Sequence, residues 1–569
     1  MQSKRPNPLA AGLAAVCLIW LCARPAAAGS QDGPGGPAER VHFSLAAPSG
    51  FEVSEAPADW SRSFVLPGFR KMGEPSAPAA PDILQNPKPG RAWIELGIFV
   101  GFSGGSYWIR YKSHFREDWQ FKLTLDSQVN RLLFLAGWRF DSNNFKLNWT
   151  HSLAGGIYYE FARTSHMSWL YSWMMSAVTS TFWESVIEWK EVISINDQFM
   201  TGLGGFAIGE PWYQVGDYLA HQSGFFYQVL SFMNPVLKIN HWLDRKDQGA
   251  RDYVQPGWHD FGLVAGVRSL SAAGRPAETA AYYAVHTQIL GLPEYGKPGD
   301  IRETVKDTYF SSITFDQAVR NGMTDETNFS FEASPWGSHR QKIDDNLEGY
   351  SLTVGLGSCF EYYRKRPIDY YDIKQVPVDP FQLGAEIHLE IPRNFTDKLA
   401  LLHIAGPVVD WTIFRRGWKL RTVAAAYLDF GLVNSLAYNA YTELHHTLPD
   451  DTVKGMKETL IYYGYYYGFG GTVSGQSTLE WGGFRARALA SFGAWGSADS
   501  RGRFPGEVTN PAHGDDNRFR YLLGAGWKLP RMPFELFANF EGIHRWGRLP
   551  GVRVSSLEER LFAGIEFSF

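Results

Sequence analysis

A stretch between residues 138 and 210 combines apolar, helix-like sequence with a few residues that could do acid–base or anion-binding chemistry. These candidates are His151, Arg163, Glu184, Glu188 and Asp197. A histidine can act as a general base near neutral pH, a carboxylate can orient it, and an arginine can bind phosphate. This chemistry would suit a lipid-modifying enzyme in which His151 works with Glu184 or Asp197, and Arg163 binds the substrate. No nucleophile is identifiable by spacing, so the sequence leans away from an enzyme.

The same charged residues also support a structural hypothesis. A carboxylate in an apolar setting must pair, take up a proton or reach water. Arg163 is the nearest cation in an otherwise uncharged run, so an ion pair with Glu184 or Glu188 is the simpler prediction. The sequence leaves open whether these residues form a site or a structural contact.

Small hydroxyl residues recur at every fourth position ahead of the two glutamates. They are Ser168, Ser172, Ser176 and Ser180. Because four residues overshoot a helical turn, the serines form a ridge that winds around a helix. Such a ridge lets another helix approach closely and offers hydroxyls for hydrogen bonds across the contact. It could instead form a polar track toward Glu184 and Glu188.

The elements that must position these residues fall into three regions. Residues 91–150 contain short apolar runs that we interpret as a strand-rich lead-in, and residues 151–245 predict a module of three helices. Residues 257–569 alternate apolar and polar side chains with the period of a strand. The predicted strands are 258–268, 279–288, 306–316, 348–358, 381–391, 397–411, 418–432, 458–470, 476–495, 517–529, 533–546 and 558–569.

This pattern predicts a mainly β protein, a transmembrane antiparallel β-barrel of about 12 strands, with a range of 10–14. The clearest alternation is at 381–391, and aromatic residues are abundant, with 21 Trp, 27 Tyr and 39 Phe. The apolar face would meet lipid and the polar face would line the lumen. Predicted lumen residues are Glu386, His388, Glu390, Arg485, Arg487, Arg518 and Arg520.

Both ends of the chain carry export signals. Residues 1–28 have the basic, apolar and small-residue parts of a cleaved signal peptide, and the Pro-, Gly- and Ala-rich stretch 29–90 predicts a flexible linker. Phe567 and Phe569 end an amphipathic strand, which resembles the sorting signal that barrels present to their assembly machinery. The predicted location is therefore the outer membrane of a Gram-negative cell, with its lipid as one partner.

Charge and cysteine content exclude several classes of function. Without residues 1–28, which hold three basic and no acidic residues, the formal charge is −7, which argues against a nucleic-acid partner. Only Cys359 then remains, so no internal disulfide or cysteine-based metal site is predicted. We find no motif for a cofactor or a metal ion.

Two groups of residues resemble a known bacterial family. The first group is Trp138, Asp141, Asn143, Asn148, His151, Gly155, Tyr158, Tyr159, Ala162 and Arg163. The second is Trp183, Glu184, Glu188, Ser194, Ile195, Asn196, Asp197, Thr201, Gly205, Gly209 and Glu210. Over residues 135–245 the chain is similar to the family catalogued as domain of unknown function 3943. The resemblance implies an exported protein whose domain precedes barrel strands, and it supplies no activity.

Three functions remain open from the sequence. The favoured one is a channel, transporter or envelope-structural barrel whose helices plug the lumen or cover its periplasmic mouth. A scaffold that docks a periplasmic protein through the helices is a variant of the structural role. The alternative is the lipid-modifying enzyme.

Overall fold

The computed structural model describes the helical and barrel regions in thirteen stretches. These are residues 87–111, 120–140, 145–222, 225–244, 256–272, 277–292, 294–365, 373–377, 386–390, 397–437, 465–498, 513–549 and 551–568. The predicted signal peptide, nearly all of the predicted linker and Phe569 lie outside these stretches.

The described residues ahead of the barrel form seven helices of six or more residues, and five of these lie in or overlap residues 151–245, where the sequence predicted three. They are α1 (Pro89–Tyr111), α2 (Leu125–Leu133), α3 (Phe145–Arg163), α4 (Trp169–Phe182), α5 (Gly204–His221), α6 (Phe225–Leu230) and α7 (Pro235–Asp244). A π-helical turn at Trp183–Ile187 follows α4. A short helix at Ile195–Asp197 and a second π-helical turn, Gln198–Leu203, lead into α5. None of the helices in the described stretches is both long and apolar enough to cross a membrane.

The strand prediction for residues 91–150 is wrong, because α1, α2 and the start of α3 occupy this region. In α1 the buried apolar residues Ala92, Leu96 and Val100 are four apart, as a helix requires, but apolar residues such as Ile94 and Phe102 are exposed on its other face. When both faces of a helix are apolar, the helical period disappears from the sequence. The run then looks like a buried strand.

Helices α3 and α5 form the centre of this helical domain and approach each other closely. A Cβ atom on Gly155 of α3 would lie 3.0 Å from the Cα atom of Gly205 of α5, and one on Gly205 would lie 2.8 Å from the carbonyl oxygen of Gly155. Only glycine fits at these positions, so the glycines set the distance between the helices.

Residues 258–568 form a closed barrel. Its strands are β1 (Trp258–Ala272), β2 (Glu278–Leu290), β3 (Gly299–Val305), β4 (Phe310–Arg320), β5 (Met323–Ile343), β6 (Gly349–Lys365), β9 (Lys398–Arg415), β10 (Trp418–Val433), β11 (Tyr466–Trp481), β12 (Phe484–Ser497), β13 (Asp515–Lys528), β14 (Phe534–Leu549) and β15 (Val552–Ser568), with a separate hairpin of β7 (Ile373–Pro377) and β8 (Glu386–Glu390). Twelve strands close the ring in the order β5-β4-β2-β1-β15-β14-β13-β12-β11-β10-β9-β6. Both β3 and β4 pair with the same side of β5, so they occupy one strand position, interrupted at residues 306–309.

The predicted barrel of about 12 strands is confirmed, although one strand was missed and one was added. In addition, the predicted strand 476–495 runs across the turn at 482–483 that separates β11 from β12. The sequence pattern missed β5, whose polar residues hide its alternation. It counted 381–391 as a barrel strand, whereas residues 386–390 pair with 373–377 in the connection from β6 to β9, and they pair with no barrel strand among the described residues. The two errors cancel in the count. The side chains of Glu386, His388 and Glu390, which were predicted to line the lumen, lie outside the part of the chain whose side chains the structure describes.

The barrel has two different ends. At the end of the barrel where β1 begins and β15 finishes, short turns join β9 to β10, β11 to β12 and β13 to β14. We call this the short-turn end. At the opposite end, longer connections join β6 to β9, β10 to β11 and β12 to β13. We call this the long-loop end.

Alternation along each strand separates an inner face from an outer face. On β6, Glu361 and Tyr363 line a cavity together with Arg520 and Arg560 from distant strands, so they point into the lumen. Their neighbours Phe360 and Tyr362 therefore point out of the barrel.

The helical domain packs on this outer face. One buried apolar cluster joins the wall to the helical domain. It contains Phe360, Tyr362, Leu402, Phe430 and Leu432 of the wall and Phe140, Phe145, Met200, Ala207 and Ile208 of the helical domain. Phe199 stacks on Phe430 with ring centroids 4.6 Å apart. Toward the short-turn end, Val215 and Leu219 of α5 pack on Phe261, Ile289 and Ile313. The prediction that the helices plug the lumen or cover a mouth of the barrel is therefore wrong, since they lie beside the wall.

We predict that Phe430→Ala loosens the helical domain without opening the barrel. Removing a buried aromatic side chain costs about 3–5 kcal/mol, and here the loss falls on the contact between domain and wall. Limited proteolysis in detergent should cut the helical domain faster than in the wild-type protein, while the barrel fragment survives.

Leu428→Ala is the matched control. Leu428 lies two residues away on the same outward face of β10 but is 70% exposed. It should leave the cleavage rate unchanged. Equal rates for the wild type and both variants would contradict the docking of the domain on this face.

Candidate functional site

His151 and Asp197 form the pair that the sequence predicted as one of its options. His151 Nδ1 is hydrogen-bonded to Asp197 Oδ1, and the imidazole is partly exposed. Asn196 Nδ2 donates to Asp197 Oδ1 and to Asn148 Oδ1, each over 2.9 Å. A carboxylate on one ring nitrogen orients an imidazole, so this pair has the geometry of an oriented general base.

The same polar group reaches the barrel at its long-loop end. Asn148 Nδ2 donates to the hydroxyl of Tyr465 over 2.5 Å and to that of Tyr467 over 3.0 Å. Tyr467 belongs to β11, and Tyr465 directly precedes it. The His151–Asp197 pair is therefore held between the helical domain and the wall.

Arg163 lies in a different place, at the other end of α3. Twelve residues separate it from His151, which corresponds to about 18 Å along the helix. Its guanidinium donates to both carboxylate oxygens of Glu210, at 2.8 and 3.0 Å, and to Asp307 Oδ1 at 2.9 Å. The side chains of Arg163 and Glu210 are fully buried. The predicted pairing of Arg163 with Glu184 or Glu188 is wrong, and so is a single site that contains both Arg163 and His151.

Asp307 is the barrel's contribution to this buried ion group. It lies in the interruption between β3 and β4, where the wall is not continuous strand. Trp169 Nε1 donates to the adjacent carbonyl of Lys306 over 3.1 Å, and Gln214 Nε2 donates to Glu210 over 2.8 Å. The sequence offered no signal for Asp307, because 144 residues separate it from Arg163.

Glu184 and Glu188 hold the chain that follows α4. Glu184 accepts a hydrogen bond from the backbone of Ser194 over 2.9 Å, and Glu188 accepts one from Trp183 Nε1 over 2.9 Å. The buried guanidinium of Arg131 donates to the carbonyl oxygens of Glu184, Ser185, Glu188 and Glu191. Arg131, which the sequence did not single out, thus satisfies carbonyls that the π-helical turn leaves without regular partners.

The serine ridge runs along the contacts of α4. Ser168 caps the helix by accepting from the backbone of Tyr171. Ser176 Oγ donates to the carbonyls of Gly155 and Thr201 at 3.0 and 3.2 Å, and Ser180 Oγ donates to that of Asp197 at 3.2 Å. Ser172 donates to the carbonyl of Ser168 in its own helix. Since these hydroxyls are used in packing, the geometry favours a close helix contact over an open polar track.

Asp244 ties the first and last helices of the domain together. It accepts from Lys88 Nζ at 2.8 Å and Arg91 Nη1 at 2.6 Å, and it lies 2.8 Å from His166 Nε2. Burial opposes ionisation of Asp244, but the hydrogen bonds from Lys88 and Arg91 lower its pKa to about 2. The tie therefore keeps its negative partner at neutral pH and loses it only as the pH falls toward that value.

The lumen is crossed by ion pairs and hydrogen bonds between nearly opposite strands. Lys365 Nζ of β6 lies 2.6 Å from Glu558 of β15, across four intervening strands on one side and six on the other. Arg421 of β10 pairs with Asp410 at 2.7 Å and reaches Gln288 of β2 at 3.3 Å. Other contacts join neighbouring strands, since Glu541 of β14 accepts from Arg520 of β13 and Arg560 of β15 at 2.6 and 3.1 Å.

A polar cavity lies between these contacts. A polar cavity of about 60 Å³, lined by Arg518, Arg520, Glu326 and Asp316 among others, lies inside the ring. That volume holds roughly four water molecules. Near the short-turn end, Tyr295 is buried and its hydroxyl lies 2.8 Å from Thr412, so a loop segment, not a helix, narrows this mouth.

A comparison with family models decides the identity of the helical region. Residues 137–236 match the model described as Domain of unknown function (DUF3943). The chain carries a DUF3943 domain. The match begins beside Trp138 and ends within α7, so the DUF3943 domain comprises helices on the wall and none of the barrel strands. The resemblance drawn from the sequence motifs is confirmed.

Solved structures give only distant likenesses to the chain. The β domain of the Bordetella autotransporter BrkA is 11% identical, covers 55% of this chain and 100% of its own, and has a TM-score of 0.18. The translocator domain of the autotransporter NalP from Neisseria meningitidis is 10% identical over 58% and 94%, with a TM-score of 0.16. OmpT, an outer membrane protein of Vibrio cholerae, is 6% identical over 55% and 99%, with a TM-score of 0.19. These scores carry no argument, so the barrel assignment rests on strand pairing. No curated protein matches the chain.

We predict that Arg163→Met lowers the free energy of unfolding by about 3–5 kcal/mol. The substitution leaves Glu210 buried without its cation, which is costly in an apolar setting. Urea titrations followed by tryptophan fluorescence measure the loss.

The double variant Arg163→Met/Glu210→Gln serves as the control. It should lose less than the sum of the two single variants, because no charge is then left alone in the helix contact. A loss below about 1 kcal/mol for Arg163→Met would contradict the importance assigned to this ion group.

Proposed function

We propose that the protein is an outer-membrane barrel whose role belongs to its DUF3943 domain, held in the lipid layer beside a closed lumen. This is an envelope-structural or lipid-contacting role and not solute conduction. The observation that carries it is the packing of the helices on the outward face of the wall. Export through the predicted signal peptide at residues 1–28 is part of the proposal.

The outward face of the barrel supports a membrane location. Exposed, outward-pointing apolar side chains occur around the ring, on strands covered by the helices and on strands that are not. They include Val267, Tyr283, Val354, Leu428, Val473, Leu523, Leu536 and Leu561. In a transmembrane barrel such a face meets acyl chains.

The outer face of the helical domain continues this apolar surface. On α1, Trp93, Ile94, Ile98, Phe102 and Ile109 are exposed, and on α4, Leu170, Met174, Val178 and Phe182 are exposed. An exposed apolar patch of this size on a water-soluble domain would promote association. Contact with lipid removes that cost, so we place the helical domain, which consists of α1, α2 and the DUF3943 domain, at the level of the acyl chains.

The contacts across the lumen weigh against the channel that the sequence favoured. The ends of Lys365 and Arg560 are paired with carboxylates on strands across the lumen, and Arg421 pairs with Asp410 on the neighbouring strand, so paired charges cross the described part of the lumen. A twelve-strand barrel is narrow, and side chains suffice to fill it.

We predict that the purified protein gives no stepwise conductance in planar bilayers. The variant Phe430→Ala should be equally silent, because the helices do not obstruct the lumen. Stepwise conductance of the wild type would contradict a closed barrel. Conductance that arises only in Phe430→Ala would show that the helices block a pore.

The last strand, β15, leads into the residues proposed to direct assembly of the barrel. Phe567 lies on the outward face of β15, where its ring packs against that of Phe534 with centroids 5.5 Å apart. Together with Phe569 it is proposed as the sorting signal that the barrel-assembly machinery binds.

The His151–Asp197 pair favours a second candidate, an enzyme acting on membrane lipid. An oriented imidazole at the long-loop end could abstract a proton from a lipid headgroup. This candidate predicts that His151→Ala alters the envelope lipid profile, measured by mass spectrometry. Ser152→Ala, a change next to His151 in the sequence, should leave that profile unaltered. An unaltered profile in His151→Ala would reject the enzyme.

A further inference from the structure

A histidine and two carboxylates converge inside the barrel near its short-turn end. Asp260 of β1, His286 of β2 and Glu566 of β15 lie on three neighbouring strands, and their ligand atoms all lie within 4.8 Å of one another. None of these residues belongs to the DUF3943 domain or to the contacts between the helices and the wall.

The middle strand is shaped to receive the imidazole. Gly262 pairs directly with His286 in the register of β1 and β2. A Cβ atom at Gly262 would come within 2.2 Å of His286 Cε1, so the ring occupies the space that the missing side chain leaves. The ring therefore extends across β1 toward β15 and Glu566.

The distances between the three residues are those of metal ligands and not of hydrogen bonds. His286 Nε2 lies 3.6 Å from Glu566 Oε1 and 4.0 Å from Asp260 Oδ1. Both distances exceed the usual limit of about 3.2 Å for N–H···O bonds. Ligands about 2.1 Å from a tetrahedral Zn²⁺ ion lie about 3.4 Å apart, so small movements would bring these atoms around one ion.

His286 Nε2 is also a buried nitrogen that makes no hydrogen bond within the described part of the chain. Leaving such an atom without a partner is unfavourable. The nitrogen points into the cluster of carboxylates, and a metal ion there would satisfy it.

The charges around the cluster leave room for a cation. Arg485 Nη1 lies between Glu566 and Glu535, at 3.3 and 3.2 Å, and Arg487 Nη2 is 3.7 Å from Glu566. Lys419 also acts on Asp260, and it pairs with Glu480 at 3.1 Å. With Asp260, Lys419 and Glu480 included, four carboxylates face three cationic side chains. The one ion pair that Asp260 makes with a described residue is the 4.0 Å contact with His286.

We propose that Asp260, His286 and Glu566 bind a divalent transition-metal ion of the Zn²⁺ type. One imidazole and two carboxylates supply three protein ligands and leave a position for water, and imidazole selects such ions over Mg²⁺ or Ca²⁺. Arg485 keeps Glu535 as its partner when the metal takes Glu566. The ion links β2, β1 and β15, which include the strands that close the barrel.

Isothermal titration of the full-length refolded protein with Zn²⁺ tests this site. The wild type should bind Zn²⁺, and both His286→Gln and Asp260→Asn should bind it at least about 100-fold more weakly, since each removes a direct ligand. Heat-modifiable migration on gels verifies that each variant is folded.

His241→Gln is the matched control. His241 Nε2 lies 3.2 Å from Asp217 in a second histidine–carboxylate cluster, within the helical domain. Zn²⁺ binding should survive in His241→Gln. Binding that is lost in this variant but kept in His286→Gln would overturn the proposal, and so would a wild-type protein that binds no Zn²⁺.

Discussion

The arrangement of the whole molecule depends on one buried ion group, formed by Arg163, Glu210 and Asp307. Two of its members belong to the helical domain, and the third belongs to the barrel wall. Charges in an apolar contact are tolerated only when they are paired, so the group specifies both where α3 meets α5 and where both meet the barrel. The interruption between β3 and β4 is what makes Asp307 available, because a residue there is released from regular strand pairing.

The apolar contacts around this ion group place the helical domain on the outward face of the barrel. The wall residues under the helices belong to the same outward face that elsewhere carries exposed side chains such as Val473 and Leu523. The domain therefore covers part of a lipid-facing surface and presents a new apolar surface of its own. The lumen, meanwhile, is crossed by ion pairs such as that of Lys365 with Glu558, so the inner and outer faces of the barrel make different kinds of contact. The inner face stabilises the ring, and the outer face holds the domain.

The sequence revealed those parts of the fold in which one face is polar and the other apolar. The barrel strands β1, β13 and β15 alternate clearly because the lumen and the outer face differ. Helix α1 was mistaken for strands because its exposed face and its buried face are both apolar. His151 and Asp197 were recognisable as a possible pair, since both lie in the DUF3943 motifs. Sequence periodicity does not reveal that Glu210 and Asp307 are the partners of Arg163, because these contacts join residues that are far apart in the chain.

Spin labels on the helical domain test most directly whether it lies in the lipid layer. Labels would be placed at Phe102 of α1 and Val178 of α4, with Val473 on the uncovered barrel face as reference, in a Cys359→Ser background. In liposomes, all three labels should be relaxed by dissolved oxygen and shielded from a water-soluble nickel chelate. Labels at Phe102 and Val178 that the chelate relaxes strongly, while Val473 stays shielded, would place the DUF3943 domain in water and contradict this account.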